Sequence, residues 1–125
     1  MENLPLPRPT DGDLSILRVL WSDGASTVRE IHDKLNGGTG YTTVLKLLQI
    51  MTDKGLVTRD VSARTHIYTA ALAEEQTQRQ LVSDLLDKAF GGSAEKLVMQ
   101  ALSSKKASRE ELQQIRKLLD QMEEK

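Results

Sequence analysis

The sequence predicts a mainly α-helical chain in two parts: three helices closed by a β-hairpin, then three more helices. Three observations carry this. Apolar residues recur at spacings of three and four over residues 10–55 and again from residue 73 to the end. Between those stretches, residues 56–70 change to alternation, the period of a strand. Capping pairs and glycines stand where one helix must stop and another begin. Three helices and a hairpin make a winged helix-turn-helix, assigned to residues 10–72. Residues 73–125 form a helical second domain, and residues 1–9, with three prolines, a flexible extended arm.

Each element has its own signal. Thr10 and Asp13 make a capping pair that opens the first helix, which carries Leu14, Leu17, Leu20 and Trp21 and stops at Gly24. Thr27-Val-Arg-Glu30 is a capping box opening a second helix, with Val28, Ile31 and Leu35 on its buried face. The run Asn36-Gly-Gly-Thr-Gly40 breaks that helix; Tyr41 opens the third, which ends at Gly55. Residues 56–61 read as a strand, 62–65 as a turn and 66–70 as the returning strand, with Tyr68 in the core. A hairpin of two strands is marginal in isolation and must pack on the helices. A fourth helix, about 74–90, carries Leu81, Leu85, Leu86 and Phe90 and ends at Gly91-Gly92-Ser93. A fifth, about 93–103, carries Leu97, Val98, Ala101 and Leu102. The capping box Ser108-Arg-Glu-Glu111 opens the last, with Leu112, Ile115, Leu118, Leu119 and Met122.

Composition excludes several functions. Without cysteine there is no disulfide framework and no thiolate metal site. No apolar run reaches the roughly 18 residues of a membrane span, and the first residues lack the basic start and apolar block of a secretory signal, so a cytoplasmic protein is expected. His32 and His66 have no partners at fixed spacing, and no nucleophile motif or Gly-rich phosphate loop appears. His32, beside Asp33 and Lys34, reads as a solvated surface residue. No catalytic residue, metal site or cofactor is expected. A net charge of −1 does not advertise a nucleic-acid binder. Any basic footprint must be local, and within residues 41–72 Lys46, Lys54, Arg59 and Arg64 outnumber Asp53 and Asp60.

The third helix has two unlike faces. Val44, Leu47, Leu48 and Met51 fall on one side; Thr42, Lys46, Gln49 and Asp53 fall opposite, with Leu45 and Ile50 at the edges. The first two turns of the polar face bear hydroxyls, an amide and one Lys, with no acid before Asp53. Such groups donate to phosphates or read base edges, and Leu45 and Ile50 suit thymine methyls. A recognition helix entering a major groove by its N-terminal end fits this distribution. The hairpin turn supplies Arg64, Thr65 and His66 as a wing on the backbone, Arg64 first among them and Arg59 and His66 secondary. The DNA-binding set is therefore Tyr41, Thr42, Thr43, Leu45, Lys46, Gln49, Ile50, Arg64, Thr65 and His66. The rival reading is a winged-helix module that binds a protein through the same face without sequence-specific DNA binding.

The stretch YTTVLKLLQIMTDKGLV with the wing RTHIYTA resembles the penicillinase-repressor (BlaI/MecI/CopY) family of bacterial transcription factors. The resemblance extends to TDGDLSILRVLWSDGASTVREIHDKL before it and to FGGSAEKLVMQAL and SREELQQIRKLLDQMEEK after it, from about residue 10 to 123. It implies a winged-helix domain and a helical dimerisation domain, a homodimer on a palindromic operator of double-stranded DNA, and repression of transcription. In several members a membrane sensor protease triggers cleavage in the dimerisation domain, so such a sensor or another derepressing signal is a further implied partner. Three departures from the family pattern matter. Gln100-Ala101 stands where cleavable members carry Asn-Phe, which speaks against cutting there in the same way. The paired cysteines of the copper-responsive branch are absent, which excludes thiolate copper sensing. Ile50 also replaces an Arg common at that position, which bears on operator preference.

The last three helices also bear on assembly. Leu112, Ile115, Leu119 and Met122 form a seam spaced three, four and three, too short to hold a coiled coil alone. Three short helices make a poor independent core. Pairing of two copies through Leu81, Leu85, Phe90, Leu97, Val98, Leu102 and that seam is the simplest way to bury them; folding back on the winged helix as a monomer is the alternative.

Overall fold

A computed structural model describes residues 7–35 and 38–124. Most of the expected arm, and Asn36-Gly37 of the expected break, lie outside the described residues. The order of elements is α1 (Asp11–Asp23), β1 (Ser26–Thr27), α2 (Val28–Lys34), α3 (Tyr41–Lys54), β2 (Val57–Asp60), β3 (Ile67–Ala70), α4 (Glu74–Ala89), α5 (Ala94–Ser104) and α6 (Arg109–Glu123). This is the expected mainly α winged helix-turn-helix followed by further helices.

The capping pair and the two capping boxes read from the sequence all form as capping boxes. Thr10, Thr27 and Ser108 each accept the backbone N–H three residues on, and Asp13, Glu30 and Glu111 accept in return the N–H of the capping residue. Gly55 ends α3 in the left-handed region, at φ +83°, where its N–H and that of Leu56 close on the carbonyl of Met51.

The sheet has one strand more than expected. Ser26 and Thr27 pair antiparallel with Tyr68 and Ile67, so the order is β1-β3-β2 rather than a lone hairpin. The third strand gives the wing a hydrogen-bonded anchor beside α2, which a two-stranded ribbon would lack.

The chain divides into two compact units, Met1–Leu81 and Val82–Lys125. In the first, Ile16, Leu17, Leu20, Val28, Ile31, Val44, Leu48, Met51, Leu56, Val57 and Tyr68 form one buried cluster. Leu14, Trp21, Leu35 and Leu47 pack partly buried against it. The Trp21 indole N–H donates to the Leu72 carbonyl at 3.0 Å, fastening α1 to the chain leaving the wing. The opening turns of α4 belong to this unit, with Thr77 fully buried. In the second unit, Gly91 and Gly92 at positive φ turn the chain from α4 into α5. Among its described residues none is buried, and Val82, Leu85, Val98, Met99, Leu102, Leu118, Leu119 and Met122 are exposed.

Candidate nucleic-acid interface

The geometry of α3 follows from its two faces. Val44, Leu48 and Met51 are fully buried, which turns Thr42, Thr43, Lys46, Gln49, Ile50 and Asp53 outward. Ile50 is 42% exposed, a large aliphatic left in water on an otherwise polar surface. Leu45 is half-buried and packs against the core cluster, so only part of its side chain faces outward. Gly40, the N-cap, offers no side-chain acceptor, and the first turn holds no acid. Among the described residues the leading N–H groups of α3 have no capping partner, and such a positive end suits an anion.

The wing is built on Asp60. Its carboxylate accepts the Ser62 N–H at 2.9 Å, fixing the turn that carries Arg64, Thr65 and His66, all exposed. The same Ser62 interactions, side chain first and backbone second, hold the Asp60 carboxyl below its ordinary value. Tyr68, on the opposite side of β3, lies in the core as expected.

The basic footprint differs from the one read along the chain. Lys54 is not available to a ligand: its ammonium meets the buried Asp13 carboxylate at 2.6 Å. A charge counted toward the outer surface is thus used to tie the end of α3 to the start of α1. Arg29, which the sequence reading passed over, takes a place at the surface instead. Its guanidinium sits over the Tyr41 ring, 5.1 Å from the centroid. His32, expected as a solvated residue, is half-buried and meets the Tyr41 ring edge-on at 5.9 Å between centroids. Arg29 and Tyr41 face Arg64, Thr65 and His66 across a cleft of about 320 Å³ between α2, α3 and the wing. The sequence signal that could have found Arg29 is its place in the first turn of α2, two residues after the Thr27 cap.

The dimerisation candidates fall into two groups. Leu81, Phe90, Leu97, Leu112 and Ile115 are half-buried, while Leu85, Val98, Leu102, Leu119 and Met122 are exposed. Among the described residues no group of three or more His, Cys, Asp or Glu side chains is placed to hold a metal ion, and no helix is long and apolar enough to cross a membrane.

A three-helix unit with a sheet-anchored wing and an outward polar α3 defines a winged helix-turn-helix protein. The family model of the penicillinase repressor matches residues 9–121, and the chain belongs to that family, whose members are transcriptional regulators and not enzymes. The penicillinase repressor of Bacillus licheniformis is 20% identical over 118 residues, covering 93% of this chain and 92% of its own. Two solved structures share the fold. The solution structure of the DNA-binding domain of the repressor BlaI matches with a TM-score of 0.50 at 21% identity, over 56% of this chain and 88% of that one. A transcriptional regulator from Thermotoga maritima matches with a TM-score of 0.52 at 18% identity, over 91% of this chain and 73% of that one.

Proposed function

We propose that this protein is a homodimeric repressor that occupies a palindromic DNA operator, with α3 in the major groove and the wing on the backbone. The observation that carries the reading is the outward face of α3. It offers hydroxyls, an amide, one ammonium and an exposed Ile50, without an acid until Asp53. An ordinary solvated helix face has no reason to avoid acids over two turns. Thr42, Thr43, Lys46 and Gln49 read base edges, Ile50 and the outer part of Leu45 meet methyl groups, and Arg64, Thr65 and His66 hold phosphates. Repression follows from occlusion of promoter DNA, and a signal that loosens the dimer releases it. A membrane sensor protease is one source of such a signal; with Gln100-Ala101 exposed on α5 in place of Asn-Phe, cutting at that bond is not expected.

A gel-shift with the promoter region beside the protein's own gene tests this. Folded protein is expected to shift that DNA, with affinity falling steeply as salt rises because phosphate contacts release counterions. No shift at low salt refutes the reading, and binding of a protein partner insensitive to salt favours an interaction module instead. Lys46→Ala is expected to lose roughly ten-fold in discrimination among operator variants, the scale of one base contact. Arg64→Ala is expected to weaken all DNA alike.

A further inference from the structure

The cleft between α2, α3 and the wing differs from its neighbours in charge. Arg29, Arg64 and His66 line it together with the hydroxyls of Thr27 and Thr65, and no carboxylate does. Three other clefts on the same unit each contain an acid: Asp23 in one, Asp11 and Glu74 in the next, and Asp23, Glu30 and Asp33 in the third. Glu30, next to Arg29 in sequence, is turned away to accept the Thr27 N–H at 2.8 Å. Arg29 makes no ion pair with any described residue, and its guanidinium rests on the Tyr41 ring. The ring is itself braced by the edge of His32. The ring contact favours this placement of the guanidinium, which lowers the side-chain entropy lost on binding an anion. Leu45, Val28 and Tyr68 make the cleft wall partly apolar.

We propose that this cleft seats one phosphodiester group of the bound duplex, clamped by Arg29 from α2 and Arg64 from the wing, with Tyr41 as the positioning residue for Arg29. The inference rests on the DNA-binding reading above and deepens it. It also changes the role of Tyr41, which serves the interface through Arg29 and not through a base. With α3 in a groove as proposed above, a flanking backbone would pass beside α2 and the wing, and a guanidinium without an ion pair to any described residue is suited to recognise a phosphate by a fork of two N–H donors. The same chemistry would accept a free phosphorylated small molecule.

The test is operator affinity by fluorescence anisotropy across a range of salt, for wild type and for Arg29→Ala, Arg29→Lys, Tyr41→Ala and Tyr41→Phe, each with its thermal melt. Arg29→Ala is expected to weaken operator and unrelated DNA alike by roughly ten-fold and to reduce the slope of log K against log salt by about 0.9, one phosphate contact. Arg29→Lys keeps the slope and loses affinity, because an ammonium lacks the planar fork. Tyr41→Phe binds as wild type, and Tyr41→Ala loses affinity. A variant that merely unfolds betrays itself in the melt and leaves the slope of its folded fraction unchanged. If Arg29→Ala keeps wild-type affinity and slope while Arg64→Ala loses both, the cleft proposal is overturned and DNA binding stands. If wild type binds no DNA at all, the DNA reading fails and the proposal with it. Calorimetric titration with inorganic phosphate separates the sources: uptake that Arg29→Ala abolishes, alongside an unchanged DNA slope, overturns the duplex assignment in favour of a free phosphorylated ligand.

Discussion

Asp13 serves two structures with one carboxylate. It returns the Thr10 N–H bond at 3.0 Å, closing the α1 cap, and holds the Lys54 ammonium at 2.6 Å although its own side chain is only 2% exposed. A carboxylate so deeply placed is tolerable only while paired. Lys54→Met should therefore destabilise the fold, toward the lower end of the roughly 3–5 kcal/mol seen when one partner of a buried pair is removed, because Lys54 keeps some contact with water. Adding Asp13→Asn should recover much of the loss, since the amide still caps α1 without an unpaired charge. Urea denaturation of the two variants and wild type checks both steps; equal stabilities would show the pair to be inert. Asp60 offers a pH test at the same scale. Its carboxyl is held low by Ser62, so the bond's contribution is present above the ordinary carboxylate value of 3.8 and is lost as pH falls through the lower value it has when folded. The Asp60 carboxyl is expected to titrate below 3.8 by NMR. Amide exchange at Ser62, corrected for its intrinsic pH dependence, should lose protection over that window, and Asp60→Ala should abolish the transition.

At the scale of elements, local signals proved legible and distant ones did not. Each capping box joins residues three apart, so Thr10, Thr27 and Ser108 announce their helices without reference to the rest of the chain. The core face of α3 likewise follows from periodicity within one helix. By contrast β1 is two residues long, too short to show alternation, and its partners Ile67 and Tyr68 lie far along the chain. Lys54 was counted toward the outer surface for the same reason: Asp13 is 41 positions away, and no spacing rule connects them. Arg29 became visible only when the fold brought α2 beside Tyr41 and the wing. The stop of α3 is a local feature with a testable energy. Gly55 occupies φ +83° with open space where a Cβ would stand, so the strain of a substitution is in the backbone alone. Gly55→Ala should cost about 1–2 kcal/mol for a left-handed non-glycine residue, lowering Tm by at least about 4 °C for a domain of this size. Gly55→Asn should cost less, because Asn tolerates that region. If Ala and Asn melt alike at the wild-type temperature, α3 does not depend on this stop.

At the scale of the molecule, the second unit carries apolar surface that the proposed second copy would cover. Its described residues include no buried side chain, yet α5 and α6 carry Val98, Leu102, Leu118, Leu119 and Met122, all exposed. Each of these side chains is already about half covered, so covering the rest stabilises by roughly 1 kcal/mol apiece, and a second copy offers the same surface in return, as two-fold pairing requires. The proposed dimer also answers the weakness of the DNA head. With Lys54 paired to Asp13, a single head is left with few cations, and phosphate contacts dominate affinity. In that dimer, two heads on half-sites one helical turn apart, about 34–36 Å, would make the second engagement intramolecular. The double variant Leu118→Glu, Leu119→Glu should then sediment as a monomer at micromolar concentration and keep the melting transition of the winged-helix unit. Its operator affinity should fall by at least about a hundred-fold, the scale of lost avidity, while binding of one head to a single half-site stays near that of the wild-type head. A wild-type protein that sediments as a monomer under the same conditions removes the dimer. A double variant that dissociates yet holds the full operator as tightly as wild type removes the need for it, and the two results can be read from the same samples.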